Sequence, residues 1–169
     1  MNPIAQHDPE IFNCIQAEIK RQQDVLNMIP SENYCSPAVL AACGSVLNNK
    51  YSEGYPKKRY YQGQANVDEV EILAIERAKR LFGAEHVNVQ PYSGSPANMA
   101  VYHALLKPKD KIMGMRLDMG GHLTHGHSVN FSARYFTPIQ YTVDHETELM
   151  NMDVIRKIAI KEKPKILVC

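Results

Sequence analysis

Three stretches carry residue types that can do chemistry. The first is Ser93-Gly94-Ser95, set between Val87-Asn88-Val89-Gln90 and an apolar run that ends at Leu106. Val87 and Val89 alternate with Asn88 and Gln90, which is the period of a strand. Ser93-Gly94-Ser95 is turn chemistry, and Ser95 followed by Pro96 reads as an N-cap and a first helical residue. A helix starting there offers unpaired N–H groups, two hydroxyls and the positive end of its dipole. A phosphate is the natural guest of such a site. The dipole contributes about 0.3–2 kcal/mol, so hydroxyls and other groups must share in holding the anion. An ordinary capped helix after a strand is written in the same letters, and one glycine makes a short motif.

The second stretch is Gly120-Gly121-His122-Leu123-Thr124-His125-Gly126-His127. Adjacent glycines let the backbone approach a ligand closely, and a histidine beside them can stack on a flat ring or move protons. A flexible loop with surface histidines reads the same way. His122, His125 and His127 are crowded, but no Asp or Glu stands in a known ligand frame with them, so no metal is expected. The third stretch runs from Lys50 to Gly63 and mixes Tyr51, Tyr55, Tyr60 and Tyr61 with Lys57, Lys58, Arg59 and Glu53. It has neither helical nor strand period. Ordering so many long side chains is costly unless they touch something; an active-site wall, an oligomer interface and a solvated loop all remain open. Ser31 and Glu32, just after Pro30, read as turn or cap residues.

The elements that must position these stretches follow from periodicity and caps. Asp8 and Pro9 open an amphipathic helix bearing Phe12, Ile15 and Ile19 and reaching about Ile29, where Pro30 stops it. Ser36 and Pro37 repeat that pattern for a short helix. Val70, Leu73, Ala74, Ala78 and Leu81 give a helix over 68–81, with Gly83 past its end. Residues 112–115, 134–143 and 166–169 read as strands, and Asp153 caps a helix between the last two. Alternating helices and strands mean α/β with a mainly parallel sheet and flanking helices. Ligands of such sheets bind beyond the carboxyl ends of the strands, so the Ser93 turn and the Gly120 loop are expected to share one crevice.

Bulk properties exclude several classes. The 169 residues suffice for one domain with its own core. A formal charge of +1 gives no pull toward nucleic acid or an anionic membrane. No apolar run approaches a membrane span, and the first residues have no signal-peptide pattern. Cys14, Cys35, Cys43 and Cys169 lack CxxC spacing, which fits a reducing, cytoplasmic setting.

Six stretches in order across the chain resemble the serine hydroxymethyltransferase family: Ile29-Pro30-Ser31-Glu32-Asn33-Tyr34, residues 49–56, Lys58-Arg59-Tyr60-Tyr61, residues 74–78, residues 88–95 and residues 120–126. The resemblance implies a pyridoxal-phosphate-dependent transferase fold of the aspartate-aminotransferase type. It implies residues 1–48 as an N-terminal helical arm and 49–169 as the first part of the cofactor-binding major domain. It also implies an exchange of serine and tetrahydrofolate with glycine and methylene-tetrahydrofolate. By the same resemblance Ser93, Gly94 and Ser95 hold the phosphate of pyridoxal 5'-phosphate, and His122 stacks on its ring. Ser31 lies at the amino-acid substrate. Glu53 is the acid–base group, and Tyr51, Glu53 and Tyr61 reach across a homodimer or higher-oligomer interface into the partner's site. Leu117, Gly121 and Leu123 line the folate pocket, with His125 close by.

Two local departures stand out: Gln62-Gly63-Gln64-Ala65-Asn66 replaces a Gly-rich continuation, and Met119 stands where many relatives carry a polar residue. The family's Thr-rich stretch ending in the cofactor-anchoring lysine and its Asp-x-x-His motif do not occur in these residues. The chain is therefore expected to behave as an N-terminal portion, inactive alone. The alternative is a non-catalytic dimerisation or assembly module that pairs with a complementary or full-length chain.

Overall fold

The computed structural model describes residues 2–169, which divide into two compact units with the boundary between Val70 and Glu71. The first unit begins with helices α1 (Pro3–His7) and α2 (Pro9–Asp24). Asp8 caps α2 as expected, its carboxylate accepting from the Ile11 N–H at 3.0 Å. The helix stops at Asp24 rather than near Ile29. Val25 is extended, and Asn27 competes for the chain beyond it: its side chain accepts from the Ile29 N–H and donates to Glu32. Local side-chain bonds of this kind offer the backbone an alternative to the helix. Ile11, Ile15 and Ile19 stay 39–51% exposed, so the apolar stripe of α2 is only half covered within its unit. Helix α3 (Pro37–Cys43) opens on Ser36, whose hydroxyl accepts from the Val39 N–H.

The Tyr-rich stretch is not aperiodic. It forms a tight antiparallel hairpin of β1 (Gly54–Tyr55) and β2 (Lys58–Arg59). The hairpin was missed because its strands are too short for alternation to register and its turn is held by a distant residue. Lys57 takes a left-handed φ of 63°, and its N–H donates to Asp68 at 2.9 Å. Helix α4 (Ala65–Phe82) follows, and the boundary between the units falls within it.

In the second unit, α5 (Gly94–Leu105) precedes β3 (Lys111–Met115); α6 (Phe131–Tyr135), β4 (Thr137–Tyr141), α7 (Met152–Glu162) and β5 (Ile166–Val168) complete it. The sheet is parallel, in the order β4-β3-β5. Ile112 aligns with Pro138 on one side and Ile166 on the other. Consecutive strand residues face opposite ways, so β3 serves two cores. Ile112 packs with Tyr102, Leu106 and Phe136, while Met113 packs with Tyr141 and Ile155. The stretch read as one strand over 134–143 begins in a helix: α6 ends at Tyr135, and β4 covers only Thr137–Tyr141. Asn151 rather than Asp153 caps α7.

The expected strand at 87–90 does not form. No ladder reaches it among the described residues. The stretch has no regular secondary structure; the Gln90 N–H donates to the Asn88 side chain and the Gln90 side chain to Glu71. Alternation alone does not make a strand, because a strand's stability lies in a paired neighbour. Among the described residues no helix is long and apolar enough to cross a membrane.

Candidate functional site

In the second unit the site is built at the start of α5. The helix begins two residues earlier than the Ser95–Pro96 pattern implies: Ser93 is the N-cap, Gly94 and Ser95 are the first helical residues, and Pro96 is third. Proline is tolerated there because the third residue's N–H has no partner inside the helix in any case. The first intrahelical bond runs from the Ala97 N–H to the Ser93 carbonyl at 3.2 Å. The Ser93 hydroxyl makes no capping bond. Two backbone N–H groups and two hydroxyls therefore gather at the positive end of a twelve-residue helix, a donor set complementary to a phosphate dianion.

The glycine–histidine loop leaves the carboxyl end of β3. A 3-10 turn, Leu117–Met119, leads into Gly120, whose φ is 100°. Gly121 then folds back on the strand end, its N–H donating to the Arg116 carbonyl at 2.8 Å. A second 3-10 turn, Leu123–His125, is capped by His122. The loop lies close on the sheet: a Cβ at Gly114 would come within 2.8 Å of the His125 Cβ.

Helix and loop meet at one residue. Thr124 is fully buried. The Asn98 side-chain amide donates to its hydroxyl at 2.8 Å, the Tyr102 hydroxyl donates to its carbonyl at 3.1 Å, and His122 Nδ1 lies 2.8 Å from its hydroxyl. The helix that opens with Ser93, Gly94 and Ser95 is thus hydrogen-bonded, through Asn98 and Tyr102, to the loop that carries His122. Leu117, Gly121 and Leu123 lie on the same loop, with Leu117 and Leu123 partly exposed. Asn98 and Thr124 escaped the sequence reading. Asn98 was discernible, since it stands three and four residues after Ser95 and Gly94 and so shares their helix face. Thr124 carried no such signal; its role depends on a contact 26 residues away in sequence.

Burial and, secondarily, the neighbouring His122 hold the His125 pKa below the usual histidine value. The fold therefore favours the neutral ring, and the unfolded chain takes up the proton more readily. Stability is fully present above the ordinary histidine pKa and is lost as pH falls through it toward the lowered one. Urea titrations at about pH 7.5 and about pH 5.5 are expected to show a lower midpoint at the acid end. His125→Gln should remove part of that difference, and an unchanged pH slope would contradict this assignment.

The remaining predicted residues belong to the first unit. The Tyr51 and Tyr61 rings meet edge-to-face with centroids 5.3 Å apart. Glu53 and Ser31 are exposed. The backbone around Glu53 is clamped by Arg59, which donates to the carbonyls of Ser52 and Gly54 at 2.9 and 2.7 Å and to Asp68 at 2.8 Å. The Arg59 and Asp68 side chains are only 4% and 13% exposed. The Lys57 N–H, and then Arg59, hold the Asp68 carboxyl below the usual carboxylate range. Gln64 donates to the Tyr51 carbonyl at 2.8 Å, so the segment bearing Tyr51 and Glu53 is tied at both ends. Among the described residues no group of three His, Cys, Asp or Glu is arranged to hold a metal ion.

A parallel sheet with an anion cradle at a helix N-terminus and a histidine loop beyond its central strand defines an α/β protein of mixed helix and parallel strand. The chain belongs to the serine hydroxymethyltransferase family, whose model matches residues 4–169. It is 58% identical over 168 residues to the serine hydroxymethyltransferase of Desulfotalea psychrophila, covering 99% of this chain and 39% of that protein. The enzyme of that name from Acidothermus cellulolyticus is 56% identical over 160 residues, covering 95% of this chain and 38% of the relative. The corresponding protein of Rippkaea orientalis is 58% identical over 166 residues, covering 98% and 39%. The chain thus spans about two fifths of the length of the curated relatives it matches.

Proposed function

We propose that this chain supplies the phosphate- and ring-binding part of a pyridoxal-phosphate site that exchanges a one-carbon unit between serine and tetrahydrofolate, with glycine and methylene-tetrahydrofolate as the other pair. The reading places it in the aspartate-aminotransferase type of fold, with residues 1–48 as an arm and 49–169 as part of the cofactor domain, in a cytoplasmic homodimer. One observation carries it: the open N-terminus of α5 and the His122 ring are joined through Thr124. When bound, pyridoxal 5'-phosphate supplies an electron sink for the bonds at the amino acid's α-carbon.

The chain's own residues do the rest. Ser93, Gly94 and Ser95 bind the phosphate by hydroxyl and backbone N–H donation. His122, exposed on its loop, would stack on the ring and help to orient it. Ser31 binds the amino-acid carboxylate, and Glu53 holds or releases the proton at the substrate hydroxyl oxygen. Tyr51 and Tyr61 wall the partner's site with apolar rings and polar tips, Tyr51 reaching the cofactor. Leu117, Gly121 and Leu123 seat the folate. The clamp of Arg59 on the residues flanking Glu53 supports that role, since an acid–base group needs a fixed approach.

No lysine among the 169 residues stands in the anchoring context, so the covalent hold on the cofactor comes from outside them. The test follows directly. Mixed with the complementary C-terminal portion of a serine hydroxymethyltransferase, the chain should yield tetrahydrofolate-dependent conversion of serine to glycine. Neither part should do so alone. A folded mixture without activity would defeat the reading. So would a stoichiometric lysine adduct after borohydride reduction of this chain with the cofactor. The half-exposed isoleucine stripe of α2 favours a second reading, an assembly module. Co-purification with a full-length homologous chain, without activity, would support it.

A further inference from the structure

We infer that Asn98 and Thr124 are positioning residues that lock His122 in its neutral Nε2–H form with Nδ1 as an acceptor, so that the orientation of the ring is set from helix α5. The Thr124 backbone N–H has one direction in which to donate, and it points at His122 Nδ1 at 3.2 Å. A nitrogen that accepts a hydrogen bond carries a lone pair there, so the ring proton of the neutral imidazole sits on Nε2. The Thr124 hydroxyl lies 2.8 Å from the same Nδ1, and with no proton on that nitrogen the hydroxyl must be the donor. Its oxygen is then left to accept, and the Asn98 amide donates to it at 2.8 Å. Each donor in the series Asn98, Thr124, His122 therefore has one acceptor, and every bond runs in the same direction.

The series is rigid at its centre. Thr124 is fully buried, and its carbonyl is held separately by the Tyr102 hydroxyl at 3.1 Å. The hydroxyl can turn between partners, but the residue cannot move away from them. His122 is restrained from a second side, because its own backbone N–H donates to His125 Nδ1 at 3.2 Å. For the same reason His125 is also an Nε2–H ring while neutral. Two imidazoles with centroids 5.9 Å apart are thus kept in one tautomer each, and neither Nδ1 carries a proton.

The inference rests on the proposed function only for its purpose: a ring that lies on a cofactor has to keep one face and one edge constant. In that setting the Nδ1 edge is taken up by the protein, and the Nε2–H edge is the one presented outward. The same helix that offers N–H groups at Gly94 and Ser95 carries Asn98 one turn further on, so phosphate position and ring position share one rigid support.

The test uses the 15N-labelled chain and long-range proton–nitrogen correlation across the imidazole rings, at about pH 8 where histidine is neutral. His122 Nδ1 should resonate as an unprotonated acceptor and Nε2 as a protonated nitrogen. Losing one such hydrogen bond should reduce the tautomer excess about two- to tenfold in Thr124→Val, and Thr124→Ser should restore it. Asn98 is only half-buried, so Asn98→Ala serves as the second variant, with a smaller loss of excess, if the valine variant fails to fold. A protonated Nδ1 in the unaltered chain overturns the inference, as does an excess unchanged in both Thr124→Val and Asn98→Ala. These spectra need no cofactor. Failure to bind pyridoxal phosphate, read separately by absorbance, would strike the proposed function and leave the tautomer assignment standing.

Discussion

Gly121→Ala is expected to destabilise the second unit by about 3 kcal/mol and to displace His122 with it. A Cβ at Gly121 would lie 2.0 Å from the Met115 carbonyl oxygen and 2.7 Å from that of Arg116. Both are backbone atoms, so no rotamer change relieves the clash. The Met115 carbonyl also ends the central strand, and the Gly121 N–H is bonded to Arg116. The loop can accept a methyl group only by lifting off the strand end, and His122 is the next residue in it. Gly94→Ala is the matched control. Nothing lies within 4 Å of a Cβ there, and alanine suits a helical position, so stability should hardly change. Urea midpoints of the two variants check this. Equal midpoints would mean the loop does not depend on the close approach at Gly121.

Changing both Ser93 and Ser95 to alanine should leave the fold nearly intact and weaken cofactor binding by about 100-fold. The usual cost of removing a serine N-cap, roughly 1 kcal/mol, is not expected, because the Ser93 hydroxyl makes no capping bond. Hydrogen bonds to charged groups are worth about 1.5–3 kcal/mol each. Two lost at the lower figure come to about 3 kcal/mol, or two orders of magnitude in affinity. Titration of pyridoxal phosphate into the chain assembled with its complementary portion, followed by absorbance, reads this directly. Unchanged affinity in the folded double variant would remove the phosphate from the N-terminus of α5.

Part of the site is legible in the sequence, because its signals are local. The caps at Asp8 and Ser36 are local competitions for backbone N–H groups, and the spacing of Val70 to Leu81 prescribes one helix face whatever packs against it. Errors arose where a distant partner decides. The alternation at 87–90 found no neighbouring strand, and the run at 134–143 divided because Phe131 and Phe136 pack with Tyr102. The hairpin at 54–59 depends on Asp68, nine residues past its last strand residue.

The one-dimensional chain therefore determined the class of fold, the family and which short stretches carry donors, since composition, caps and motif order are written in neighbouring residues. Only the tertiary structure decided that Ser93 is the N-cap of α5 with no capping bond from its hydroxyl, and that the helix and the histidine loop join at Thr124. The reason is physical: a buried hydroxyl's partners are set by which segments pack together, and loop closure over 26 residues leaves no trace in local spacing.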